Sequence, residues 1–195
     1  DKMKKIGIWL ILAVMLIAST TTVYAVPTTI DFEDLGHLDY VGTHYPGLTF
    51  SATAQALKKP DYNYEGYPPH SGDIVIFSLT QNSITITFDS PVTMVGAWIT
   101  AGVSDITLTA YDEDGNVLDS ATVSVNYRSN DYAEVNSPGI KYVTISDSGN
   151  LWTMDDLTYD YGGFPAPEFA TPAVAVAILL TTPAFSYLIV RKRGV

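Results

Sequence analysis

Between residues 27 and 161 the chain is built on a period of two. Ser83-Ile84-Thr85-Ile86-Thr87-Phe88 alternates strictly, so an extended backbone puts Ile84, Ile86 and Phe88 on one side and the hydroxyls on the other. Ile106, Leu108 and Ala110 repeat the pattern, as do Val143 and Ile145. Further short runs at 28–33, 47–52, 73–78, 93–101, 116–125, 131–136 and 151–160 are rich in Thr, Val, Ile and Tyr, the residues that suit a pleated, half-buried surface. Turn sequences punctuate them: Asp89-Ser90-Pro91, Asp114-Gly115-Asn116, Ser137-Pro138-Gly139 and Asp147-Ser148-Gly149-Asn150. No helical periodicity of useful length interrupts this region. About ten strands of this kind predict an all-β fold, a two-sheet antiparallel sandwich of the jelly-roll type. A domain of that size buries roughly two-thirds of its unfolded surface, so it needs no disulfide. The 195-residue chain has no cysteine, which also excludes a thiolate metal site and a cysteine nucleophile.

Charge separates this middle region from the ends. Lys2, Lys4 and Lys5 open the chain, and Arg191, Lys192 and Arg193 close it. Between residues 26 and 166 only Lys58, Lys59, Arg128 and Lys141 are basic, against 19 acidic side chains. A field of that sign repels nucleic acid and favours cations and basic partners.

The ends read as addresses. Met3-Lys4-Lys5, the apolar run Ile6 to Ala18 and Val23-Tyr24-Ala25 have the layout of a secretory signal peptide, residues 1–25, with cleavage by signal peptidase after Ala25. An uncleaved membrane anchor is the alternative. At the other end, residues 162–168 form a breaker-rich linker, and residues 169–190 carry no charge. As a helix that run spans about 33 Å, one bilayer core. Pro172 and Pro183 inside it are tolerated in a membrane. The basic tail 191–195 stays cytoplasmic, which turns the middle domain, residues 26–161, outward.

Pro167-Glu168-Phe169, an apolar span and a terminal basic cluster together resemble the PEF-CTERM sorting signal of archaeal surface proteins. The resemblance covers about the last 30 residues. It implies processing by an archaeosortase, a membrane-embedded transpeptidase, by a logic parallel to that of lipid-anchor signals. In the middle region, Ile30 to Leu35 (IDFEDL), Gly47 to Phe50 (GLTF) and Trp152 to Thr158 (WTMDDLT) resemble the carbohydrate-binding-module-like sandwiches found in many sorted surface proteins. That likeness concerns the fold and carries no ligand with it.

Four groups of residues are candidates for chemistry. Carboxylates crowd both ends of the sandwich, and a jelly roll sets its terminal strands side by side. Glu33, Asp34, Asp155 and Asp156 are therefore expected to converge, either around a structural calcium ion or as a solvated acidic surface. The sandwich superfamily often holds such a calcium near its termini. Asp112-Glu113-Asp114-Gly115 has the start of a calcium loop but lacks the acid at its twelfth position, so a hairpin turn is expected. Residues 60–70 form a proline- and tyrosine-rich loop in which Tyr62, Tyr64 and Tyr67 either present flat amphipathic faces to a ligand or fold back on the sandwich edge. Trp98 alternates with Gly96 and Thr100 on one sheet face, either in the core or as a ligand-binding ring.

Catalysis has little to work with. His37, His44 and His70 match no zinc-protease spacing, and no G-x-S-x-G elbow occurs. Only Glu33, Glu65, Glu113 and Glu134 are available as glutamates, and a glycoside hydrolase, the remote alternative, needs two carboxyls facing one substrate. The expectation is a non-enzymatic archaeal cell-surface protein that binds glycans or surface polymers. A structural or adhesive coat protein with surface-layer partners is the alternative.

Overall fold

A computed structural model describes residues 26–79, 83–146 and 151–162. The expected signal peptide (residues 1–25), the linker from residue 163 with the Pro167-Glu168-Phe169 motif, the expected membrane span (169–190) and the basic tail lie outside the described residues.

Nine strands make up the fold: β1 (Thr28–Ile30), β2 (Leu48–Phe50), β3 (Ala54–Lys58), β4 (Ile74–Ser78), β5 (Ile84–Ala101), β6 (Ile106–Tyr111), β7 (Val117–Val123), β8 (Asp131–Ser146) and β9 (Trp152–Asp160). Every pairing between them is antiparallel. The hydrogen-bonded order is β3-β4-β9-β5-β8-β6-β7, with β1 beside β9 and β2 beside β5. No helix occurs among the described residues.

The long ribbon of β5 and β8 organises both layers. Its first half, Ile84–Thr87 against Tyr142–Ile145, is flanked by β2 and by β6 with β7. Its second half, Met94–Ile99 against Asp131–Asn136, is flanked by β9, which leads on to β1, β4 and β3. Between the halves the register slips twice, between Thr87 and Val92 and again between Val92 and Met94. Bulges of this kind bend a strand and raise its twist. The bend also changes which residues face inward. Ile84, Ile86, Phe88 and Val92 are buried before it, and Val95, Ala97, Ile99 and Ala101 after it. Both halves thus turn their apolar sides to one core, which includes Phe32, Phe50, Ile76, Ile106, Leu108, Val135, Ile145 and Leu157.

Two expected turns take a different form here. Asp89-Ser90-Pro91 and Ser137-Pro138-Gly139 do not separate strands; they are the bent middles of β5 and β8. Proline has no N–H to give a ladder and survives in a sheet at a bulge, where none is needed. Gly139 takes φ +87°, which glycine adopts without the usual side-chain clash. The Asp112–Asn116 segment is the β6–β7 turn, as expected. Asp112 accepts from the amides of Asp114 and Asn116, and Gly115 has φ +85°.

Candidate functional site

The second half of the ribbon turns a mixed aromatic and polar face outward. Register sets Tyr132, Trp98 and Asp155 in one row across β8, β5 and β9, and Glu134, Gly96, Thr158 and Thr29 in the next. Trp98 is half-buried and lies outside the hydrophobic core cluster, which resolves its two readings in favour of the outer face. Tyr132 is 39% exposed, and its ring tilts against Trp98 with centroids 5.3 Å apart. Gly96 makes room for it: any side chain there would run into the Tyr132 hydroxyl. Burial first, then the Glu134 charge, pushes the Tyr132 phenol up; the hydroxyl bonds with Thr158 and Glu134. Asn136 Nδ2 donates to Glu134 Oε1 at 2.8 Å and holds that carboxylate in place.

A bulge in β9 supplies the acids. Gly96 pairs with Thr158 but Trp98 with Asp155, so Asp156 and Leu157 together oppose Ala97. Trp152 and Met154 point into the core before the bulge, and Leu157 and Tyr159 after it. Two consecutive aspartates are left away from the core. Asp156 sits at φ +47°, a left-handed conformation that costs a non-glycine residue about 1–2 kcal/mol, though Asp tolerates it better than most.

The loop between β3 and β4 closes over these acids like a strap. Its base is tied by the Lys59 amide to the Asp73 carbonyl at 3.0 Å. The Ser71 amide donates to Asp155 Oδ2 at 2.9 Å, and the Ser71 hydroxyl donates to Asp156 Oδ1 at 2.9 Å. His70 Nδ1 and Asp156 Oδ2 are 2.6 Å apart. The His70 imidazole lies flat on Trp98, with centroids 3.8 Å apart and planes 6° from parallel. Asp155 is only 1% exposed, and burial pushes its carboxyl up to about 6. The Asp156 charge adds to that rise, while the amides of Ser71, Asp156 and His70 oppose it.

The same strap answers the expectation of converging carboxylates. β1 does lie beside β9, with Thr28 opposite Tyr159. Yet Glu33, Asp34, Asp155 and Asp156 are held in separate sets. Glu33 Oε1 accepts the amides of Asp73 and Ile74, both at 2.9 Å. Asp34 accepts from Tyr45 at 2.6 Å and lies 2.7 Å from His44 Nε2, bonds that hold its carboxyl below the usual range. Residues 70–74 therefore run between Glu33 and the Asp155–Asp156 pair and offer amides to both. Gly72, at φ +53°, has no side chain to strike the Glu33 carboxylate. Among the described residues, no group of three or more His, Asp or Glu side chains is arranged to hold a metal ion.

The loop tyrosines do not form one platform. Tyr62 packs edge-on to Tyr64 at 6.3 Å. Its hydroxyl is buried without a hydrogen-bond partner, and burial first, then Asp155, Asp73 and Glu33, push it up. Tyr64 is exposed beneath the Lys59 ammonium, 5.9 Å from its ring centre. Tyr67 meets Tyr127 at 5.4 Å. Of the four rings singled out from sequence, Trp98 lies on the site, while Tyr62, Tyr64 and Tyr67 lie on the strap, Tyr67 against Tyr127. Tyr132, Glu134, Gly96, His70 and Ser71 were not foreseen there. For Tyr132 and Glu134 the signal was available, since they alternate with the apolar Ala133 and Val135.

No protein-family model matches the chain, and a search of curated proteins finds no significant match. Among solved structures it is similar to a family 61 carbohydrate-binding module in complex with β-1,4-galactotriose, at 15% identity and TM-score 0.41 over 66% of this chain and 99% of that one. A family 29 carbohydrate-binding module matches at 12% identity and TM-score 0.44, over 72% of this chain and 91% of that one. A family 6 module matches at 17% identity and TM-score 0.39, over 69% and 94%.

Proposed function

We propose that this is a non-catalytic carbohydrate-binding domain of an exported surface protein, with its site on the outer face of β8, β5 and β9. One observation carries the reading: the Tyr132–Trp98 pair of rings, bordered by Glu134, Thr158, His70 and Asp156. Sugars offer apolar ring faces edged with hydroxyls. They suit sites where aromatic surface lies beside a few fixed polar groups. Anchoring through the C-terminal tail, with archaeosortase processing, is the part of the reading that rests on sequence. It is supported by the order of Pro167-Glu168-Phe169, the uncharged run 169–190 and the basic cluster Arg191-Lys192-Arg193. The test is a glycan array followed by calorimetry. Trp98→Ala and Tyr132→Ala are each expected to weaken binding by about 1–3 kcal/mol, the scale of a lost aromatic contact. Unchanged binding in both variants sinks this site.

A second reading, adhesion to protein partners, has its own observation. Val103, Val125, Tyr127 and Leu151 are exposed on adjoining loops away from the Thr28–Tyr159 end. Apolar surface of that kind suits protein contact. Loss of cell-surface adhesion in a Val103→Asp, Val125→Asp double variant, with sugar binding intact, favours it.

A further inference from the structure

We propose that His70 is a built-in occupant of the Trp98 platform: a sugar ring and the His70 imidazole compete for the same indole face, and the His70–Gly72 end of the strap is the lid that must open. This rests on the carbohydrate reading of the site and names its regulation. A ring that stacks on Trp98 needs a face at van der Waals distance, and the imidazole already fills that position at 3.8 Å and 6°. The Asp156 carboxylate, the natural acceptor for a sugar hydroxyl beside that ring, is also in use. It holds His70 Nδ1 at 2.6 Å and the Ser71 hydroxyl at 2.9 Å.

The contacts have the form of a latch rather than of core packing. His70 is an exposed residue, as are Asp61, Asn63, Tyr64 and Glu65 along the same strap. The His70–Gly72 end is held to the sheet by one ring stack and the hydrogen bonds of His70 and Ser71 to Asp155 and Asp156. The middle of the strap is pinned separately, by the Arg128 amide to the Gly66 carbonyl at 3.0 Å, by Asn63 Nδ2 to the Tyr127 hydroxyl at 3.2 Å and by the Tyr67–Tyr127 ring contact, and stays in place. The base stays fixed independently, through the Lys59–Asp73 backbone bond and the Glu33 bonds to the amides of Asp73 and Ile74. Pro68 and Pro69 stiffen the backbone just before the latch residue. Ser71 and Gly72 lie between the latch and the fixed base, and Gly72 has the conformational freedom of a hinge, with φ +53°. Opening would uncover the indole and free both Asp156 oxygens at once.

A site that is open only a fraction of the time binds more weakly by that fraction. Removing the latch therefore tightens binding. The experiment uses the full chain and cello-, chito- and galacto-oligosaccharides of three to six units. It compares wild type with His70→Ala, with Ser71→Ala, which loosens the latch without touching the ring, and with Trp98→Ala. Fluorotryptophan labelling reports exposure of the Trp98 indole by its solvent-isotope shift. The expected result is a roughly three- to tenfold lower Kd in His70→Ala, a smaller gain in Ser71→Ala, and a more exposed Trp98 in both. Equal or weaker binding in His70→Ala, with Trp98→Ala still losing affinity, overturns the lid and leaves the carbohydrate site standing. Binding of none of these sugars by wild type or any variant overturns both, and affinity untouched by Trp98→Ala overturns the lid.

Discussion

The two halves of the β5–β8 ribbon share a core and differ completely on the outside. Across the first half the outer rows are Thr85–Thr144–Thr109–Ser120 and Thr49–Thr87–Tyr142–Tyr111, uncharged and lying open on the sheet. Across the second half the rows carry Tyr132, Trp98, Asp155 and Glu134, and a strap is bonded over part of them. Inward positions are apolar in both, because each half must bury one face. Outward positions are free of that demand, and there the chain spends its difference. The lesson is that a site on a sandwich is found by asking where the outer face departs from the hydroxyl-rich pattern that a solvated strand adopts by default.

The sharpest test of the first half is its inside against its outside. Phe88 is fully buried and neighbours the exposed Thr87 in sequence. Phe88→Ala is expected to cost about 3–5 kcal/mol in urea unfolding. Thr87→Ala should stay within about 0.5 kcal/mol. Similar costs for the two would break the assignment of faces.

The second half should behave unlike the first in its pH response. Asp155 keeps its proton in the folded chain up to about pH 6, whereas the unfolded chain loses it near 3.8, as a free aspartate does. Between those limits the folded state binds more protons than the unfolded one. Its contribution to stability therefore falls as pH rises through that window, and stays lower above it. The size is of order 3 kcal/mol, from a rise of about two pH units at about 1.36 kcal/mol each. Asp155→Asn carries no charge to bury, so the difference in stability between wild type and variant should change between pH 4 and 6 and level off beyond. A difference that is flat with pH sinks the buried-carboxyl account.

Gly96 marks the second half in a smaller way. Gly96→Ala forces the Tyr132 ring off β5. With solvent on one side the ring can swing away, so the cost is about 1 kcal/mol, the low end of overpacking. Sugar binding should weaken with it, while Thr87→Ala in the first half leaves binding untouched. Retention of full affinity in Gly96→Ala would show that Tyr132 is not part of the site.

Calcium should have the smallest effect. Glu33, Asp34, Asp155 and Asp156 already have protein donors. Calcium and magnesium at equal ionic strength are expected to move Tm alike, by no more than about 2 °C. A calcium-specific rise of about 5–10 °C, lost in Asp156→Ala, would restore a shared metal site.

From sequence alone came the elements with local causes. Period-two alternation marks Ile84–Phe88 and Ile106–Ala110 as strands with a defined inner face, since side chains on an extended backbone point to opposite sides. The β6–β7 turn at Asp112–Asn116 follows from its own Asp and Gly chemistry. The pairing of the first strand with the last came from fold-level reasoning and holds as β1 with β9.

Tertiary structure decided what depends on partners distant in sequence. Asp89-Ser90-Pro91 and Ser137-Pro138-Gly139 look like turns because a turn and a bulge use the same residues. Only the pairing of β5 with β8 makes them the bend of one ribbon. The β9 bulge places Asp155 and Asp156 together away from the core, against the alternation that the sequence alone implies for a strand. Repulsion among the carboxylates was legible from their density, whereas its relief was not. Amides of residues 70–74 meet Asp155 some 84 positions along the chain and Glu33 some 40 positions before them. Backbone N–H groups are the same in every sequence. Which carboxylate they meet is set by the path of the folded chain, so composition could name the charges but not their partners.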